Sequence, residues 1–247
     1  MTKPIALQLY TLRDALADDF DAVVKQVAET GYVAVEPFGG MPRPATEAAQ
    51  LFNQLGLLVH SAHLPPPLGD DKNRILDDAG AYRLQHFVIP YQPPEEFATL
   101  DKIKATCDML NEANQIVQSQ GMKLHYHNHW WEFEEIEGRL VFDYMLDLVE
   151  PTLHFEIDTY WVKVGGADPV QIVERLGNRA PLLHIKDGPA TQDDPMVAVG
   201  QGTMDFHAVA KAGGEHTALL IVELDRCATD MMTAVKESYT YLTSEGL

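Results

Sequence analysis

Basic residues are scarce in this chain: 18 Lys and Arg stand against 37 Asp and Glu, a formal net charge of −19 over 247 residues. Such a field repels polyanions, which argues against a nucleic-acid partner. It also disfavours a phosphorylated substrate unless a local basic pocket offsets it, but it admits a small neutral ligand or a divalent cation. Cysteine is nearly absent. Cys107 and Cys227 form no metal-type or redox spacing, so neither a thiolate metal site nor a disulfide framework is expected, and both read as free thiols of a reducing cytoplasm. No apolar run approaches the length needed to cross a membrane. The opening residues MTKPIALQLY lack the features of a secretory leader, so no signal peptide is expected. Linkers and low-complexity tracts are missing as well, and the expectation is a single domain over residues 1–247.

What is present is a regular alternation. Short β-like runs occur at 5–10, 33–38, 57–63, 86–90, 122–128, 153–158, 181–187 and 219–225. Helical patterns lie between them: Phe20, Val23, Val24 and Val27 share one face before Gly31, and Asp168-Pro169 opens a segment that stops at Gly177. Strand and helix in strict alternation argue for parallel βα units, and eight units point to a closed (β/α)₈ TIM barrel, an α/β fold. The run WEFEEIEGRL (131–140) reads as a solvated acidic excursion turning at Gly138.

Successive side chains on a strand face opposite ways, one face toward the barrel axis and the other toward the helices. In the fifth run Met122, Leu124 and Tyr126 belong to the helices, which turns Lys123, His125 and His127 inward. By the same reasoning His154, Glu156 and Asp158 point inward from the sixth run, His184 and Lys186 from the seventh, and Glu223 and Asp225 from the eighth. The first three runs add Gln8, Tyr10, Glu36, Ser61 and His63. So many ionisable groups at one end of a barrel are costly without a balancing cation, and a divalent metal is the economical solution. The metal set chosen from these residues is His127, Asp158, His184 and Glu223, one per strand from the fifth to the eighth. Each has an alternative: His125 or His129 could ligate in place of His127, Asp158 could cap the following helix, and Glu223 could pair with Lys186. Imidazole and carboxylate ligands suit Mn, Co, Mg, Fe or Zn and do not choose among them.

At these residues the chain resembles a known family. QLYTLRD (8–14), VEPFG (35–39), SAHLP (61–65), HYHNH (125–129), EIDTYWV (156–162), HIKDG (184–188), VGQGTMDF (199–206) and VELD (222–225) are similar to the sugar phosphate isomerase/epimerase family, within the xylose isomerase-like barrel superfamily. That superfamily includes inosose dehydratase, hydroxypyruvate isomerase, ketose 3-epimerases and endonuclease IV. The resemblance implies metal ligation by Asp158, His184 and Glu223. It also places His127 where the family usually has a glutamate, so a two-glutamate proton shuttle is not expected here. Members with a YHNH-type fifth strand look closer to the branch acting on keto-sugars or keto-inositols.

The activity implied is a metal-dependent isomerase or epimerase of a small ketose or keto-sugar, working through an enediolate. Glu223 or His127 is the expected base, and Lys186 stabilises the oxyanion or pairs with Glu156 or Glu223. Glu36, His63, Trp161, His129 and Arg13 are the expected substrate contacts, with a surface salt bridge the alternative for Arg13. A dehydratase of a keto-sugar or keto-inositol is the second reading, and a catalytically idle sugar-binding barrel the third. The expected partner is a small sugar. Nucleic acid and membrane are not expected, and a homo-oligomer is left open.

Overall fold

Eight parallel strands form the frame of the computed structural model, which describes residues 3–247; Met1 and Thr2 of the expected 1–247 domain lie outside the described residues. The strands are β1 (Ile5–Gln8), β2 (Ala34–Glu36), β3 (Ser61–His63), β4 (His86–Ile89), β5 (Lys123–His127), β6 (His154–Asp158), β7 (Leu182–Ile185) and β8 (Leu219–Val222). They pair in the order β2-β1-β8-β7-β6-β5-β4-β3. Between β2 and β3 the ladder is reduced to the parallel bridges Ala34–Leu58 and Phe38–His63, supported by His63 N donating to Pro37 O at 2.9 Å. The result is a nearly closed (β/α)₈ TIM barrel.

The expected runs are longer than the strands that form. The first ends at Gln8, where the side chain accepts from Tyr10 N and the chain enters a 3-10 turn over Leu9–Leu12. Tyr10 therefore stands at the rim, not on the strand. Helix limits follow local signals. Asp19 caps Phe20–Thr30 through Ala22 N, and Gly31 closes it in the left-handed region (φ 114°). Asp168 caps Pro169–Leu176 through Val170 N.

Period-two alternation splits the strand residues into two cores. Leu7, Val35, Phe87, Leu124, Phe155, Ile157, Leu183 and Val222 pack outward into the helical layer. Ala6, Ala34, Val88, Leu182, Leu219 and Ile221 fill the lower barrel axis. Small and branched residues close the floor, so polar residues remain only above and below this plug. Lys123, expected to face inward, is exposed at the lower end of β5 because it precedes the enclosed part of the strand.

Beneath the plug lie His86, His125 and His154. His86 Nδ1 and His125 Nε2 are 2.8 Å apart, a distance that needs one donor and one acceptor and so excludes two charged rings. Burial lowers His86 from its ordinary 6.5 to about 4, with the charges of Lys123, His60 and His154 adding to the effect, and burial with the charges of His86 and His154 holds His125 well below the usual range. An unfolded chain binds these protons from about pH 6.5 downward, whereas the native pair does not. The contribution of His86 is therefore fully present above pH 6.5 and is lost as pH falls toward 4, by about 3 kcal/mol at most. Urea denaturation should show a drop in unfolding free energy between pH 7 and 4.5 that shrinks by about 2 kcal/mol in His86→Gln. An unchanged pH slope in that variant would refute the assignment.

Candidate active site

The C-terminal ends of the strands carry the polar residues. Glu36, Glu156, Asp158 and His184 are fully enclosed, with Lys186 at 1% and Glu223 at 4% exposure. Glu156 is the hub. Its Oε2 lies 2.6 Å from His63 Nε2, 3.2 Å from His127 Nδ1 and 3.0 Å from His184 Nε2. His184 Nε2 also approaches Glu36 Oε2 at 2.9 Å, and Gln8 Nε2 donates to that same oxygen at 2.7 Å. On its other side His184 Nδ1 faces Glu223 Oε2 at 2.8 Å.

These contacts set the protonation states. Burial alone lowers an imidazole, but Glu156 and Glu223 on either side lift His184 well above its ordinary value, and Glu36 and Glu156 likewise raise His63. Burial raises carboxyls, yet the charges of His184 and His63 hold Glu156 well below the usual range, and Lys186 and His184 do the same for Glu223. Glu36 goes the other way: burial and the nearby Glu156 push it up. His127 is lowered to about 3, by burial first and by the charge of His184 second, so it is neutral at pH 7. A neutral ring that donates Nδ1–H to the ionised Glu156 leaves Nε2 with a free lone pair, 3.7 Å from Asp158 Oδ2.

Asp158 divides its work. Its Oδ1 accepts from Trp161 N and caps the helix Thr159–Val164, while Oδ2 is buried and faces the Lys186 ammonium at 3.0 Å. Burial raises this carboxyl to about 6 against the lowering effect of Lys186. The Lys186 ammonium lies 3.0 Å from Asp158 Oδ2, 2.7 Å from Glu223 Oε2 and 2.8 Å from Asp225 Oδ2. It is a built-in cation among three carboxylates, braced on one side by the Trp161 ring, whose centroid is 5.3 Å away.

Two sets of four buried ligand atoms lie within 4.8 Å of one another: His127, Asp158, His184 and Glu223, and His63, His127, Glu156 and His184. The first opens to the cleft through His127 and Glu223. Two imidazoles and two carboxylates fit a divalent cation of the Mn, Fe, Co or Zn type. The second set already uses its carboxylate to fix three imidazoles.

The cleft above the site has a volume of about 760 Å³. His63, His127, His129, Lys186, Glu223 and Asp225 form its inner end. Of the expected substrate contacts, His63 and His129 line this cleft. Glu36 sits beneath it and touches His63 and His184. Trp161 is buried behind Lys186 in a cluster with Tyr160, Met196 and Leu224, which removes it from the ligand's path. Arg13 donates to Tyr10 O and Asp225 O at 2.9 and 2.8 Å, so its guanidinium braces the rim and neither reaches a ligand nor forms the surface salt bridge.

Sequence reasoning missed Tyr91, a loop residue after β4 with no periodic pattern to reveal it. It also misjudged Glu132. This residue of the acidic run is fully buried, accepting from Tyr126 O–H at 2.6 Å and His129 N at 2.8 Å, and burial raises it to about 7. The rest of the excursion is the antiparallel pair Glu135–Ile136 and Arg139–Leu140, turning at Glu137-Gly138 with both φ positive (53° and 78°). On the other side of the mouth, Asp187 ties down the loop after β7 by accepting from the N–H groups of Gly188, Gly200, Gly202 and Met204. A Cβ at Gly202 would collide with that carboxylate.

Comparison with known proteins agrees with this architecture. A family model described as the xylose isomerase-like TIM barrel matches residues 24–225. The inosose dehydratase of Geobacillus kaustophilus (strain HTA426) is 26% identical over 219 residues, 78% of this chain and 69% of that protein. Two crystal structures of sugar phosphate isomerase/epimerases from Parabacteroides distasonis ATCC 8503 superpose over 98% of this chain, with TM-scores of 0.82 and 0.80 at 25% and 26% identity, covering 93% and 98% of those chains.

Metal binding to the native state alone should raise the melting temperature by about 5–10 °C at a hundredfold excess over the dissociation constant. Mn²⁺ or Zn²⁺ should produce that shift, EDTA should reverse it, and Asp158→Ala, Asp158→Asn and His184→Ala should abolish it. A full shift in variants that keep the wild-type circular dichroism spectrum would disprove this ligand set.

Proposed function

The chain belongs to the xylose isomerase-like TIM barrel family, and from that premise we propose that it is a divalent-metal-dependent isomerase or epimerase of a small ketose or keto-sugar. The observation that carries the reading is the buried set His127, Asp158, His184 and Glu223, whose ligand atoms lie within 4.8 Å of one another at the inner end of a cleft wide enough for a polyhydroxy ligand.

His127, Asp158, His184 and Glu223 would hold the ion. A divalent ion bound there supplies Lewis-acid polarisation of a substrate carbonyl. The chain's own groups do the rest. Glu156 fixes the tautomer of His127 and orients His63. Lys186, held cationic by Asp158 and Asp225 despite its burial, donates to the oxygen on which negative charge develops. Glu223 is kept ionised by Lys186 and His184 and faces the cleft, so it takes the proton from the carbon beside the carbonyl. Return of that proton to the neighbouring carbon, with the hydroxyl proton passing from one oxygen to the other, isomerises the sugar, and protonation of the same carbon from its other face by a second donor epimerises it.

Dehydration is the second reading, favoured by the likeness to an inosose dehydratase. From the same enediolate, departure of a β-hydroxyl as water, with a proton from the Lys186 ammonium, gives an unsaturated ketone.

Incubation of the metal-loaded protein with ketoses and keto-inositols in deuterated water discriminates these. Solvent deuterium at the carbon beside the carbonyl is the expected result, and a new enone absorbance identifies the dehydratase. Neither signal from a folded, metal-loaded protein would leave the idle barrel. Lys186→Met should lower turnover by about 100-fold while metal still raises the melting temperature. Undiminished turnover in that variant would remove the lysine from the chemistry.

A further inference from the structure

The cleft is larger and less polar than proton transfer on a single sugar ring requires. Its volume of about 760 Å³ lies near the upper end of the roughly 300–1,000 Å³ over which pockets enclose drug-sized ligands. Apart from the Arg74–Asp78 ion pair, the charged groups of the lining sit at the inner end. The outer half is walled by Tyr10, Phe38, Pro66, Ile75, Pro90 and Tyr91. Tyr10 and Tyr91 are 40% and 48% exposed, although large side chains of this type normally cover themselves.

Both rings are held in place. Tyr10 is packed edge-on to Phe38 (centroids 5.3 Å apart), and the Arg13 guanidinium lies 4.4 Å from its centroid. Tyr91 is packed edge-on to His129 at 5.3 Å and to Trp131 at 5.6 Å. Two rigid, braced rings facing open space form a preformed stacking platform that costs little ordering on binding. The cleft continues past Phe38 and Gly39 into a second hollow of about 400 Å³. Arg74 at that junction is already paired with Asp71 and Asp78, and Arg43 with Asp21, which leaves no uncompensated cation there for a phosphate.

We propose that the ligand is a sugar bearing a second, uncharged ring, with the reacting ring at the buried His and carboxylate cluster and the appended ring in the outer half of the cleft, against the exposed tyrosines of its wall. This rests on the sugar-converting reading of the same site and narrows its substrate class from a free monosaccharide to a two-ring compound. The shared chemistry is a flat or semi-flat apolar face, and either a second sugar or an aromatic aglycone presents one.

The test measures affinity of the metal-loaded protein for D-glucose, cellobiose and 4-nitrophenyl β-D-glucopyranoside by titration calorimetry. The expectation is that at least one two-ring probe binds about 10-fold more tightly than glucose. Tyr91→Ala should then narrow that ratio to within about 3-fold. Preference for cellobiose identifies the appended ring as a sugar, and preference for the nitrophenyl glucoside identifies an aromatic aglycone. Equal affinities, no binding of any probe, or a preference that survives in Tyr91→Ala would overturn the proposal. Deuterium incorporation reports on the inner end alone, so the chemistry and the two-ring preference can fail separately.

Discussion

Negative charge buried at the mouth of the barrel is the constraint that organises this protein. Glu36, Glu156, Asp158 and Glu223 converge there with almost no exposure to water. Removing a carboxylate from water costs several kcal/mol unless partners compensate. Each is answered by a specific positive or donating neighbour: Gln8 for Glu36, three imidazoles for Glu156, Lys186 and His184 for Glu223. Asp158 spends one oxygen on a helix cap and turns the other to Lys186, which it shares with Glu223 and Asp225. One ammonium divided among three carboxylates leaves room for a divalent ion to complete the balance.

The scaffold makes this convergence possible by separating two kinds of interior. Apolar residues seal the lower axis, and every strand that contributes to the plug except β4 has an inward polar residue two positions after a plug residue. Ile221 lies two residues before Glu223, Leu182 two before His184, and Ala34 two before Glu36. One alternating pattern thus serves both stability and chemistry, and the lower histidine pair shows that the rule continues beneath the plug.

How much of this is legible in the sequence follows from which parts are periodic. The barrel and the inward facing of His127, Asp158, His184 and Glu223 follow from the alternation of strands whose outward residues are plainly apolar. Residues just past a strand end escape that logic. Tyr10 leaves the sheet through the 3-10 turn that begins after Gln8, and Trp161 falls on a helix that swings it behind Lys186. Arg13 looks like a ligand contact because charge near a site is suggestive, but two backbone carbonyls claim it. Glu132 looks solvated within an acidic run, and only the tertiary approach of the Tyr126 hydroxyl shows why it is buried. Glu156 is visible as inward-facing, yet its place as the acceptor for three histidines depends on His63 arriving from a distant strand.

The loop after β7 gives the mouth a handedness. Asp187 gathers four backbone amides of that loop, which fastens the rim beside β7 as one inflexible piece. Across the opening, the β2 and β3 segments are joined by isolated bridges alone, and the cleft runs outward over exactly these connections. The rim is thereby uneven around its circumference: one sector is pinned to a single carboxylate, and the facing sector, where the cleft broadens into its second hollow, is carried by loops.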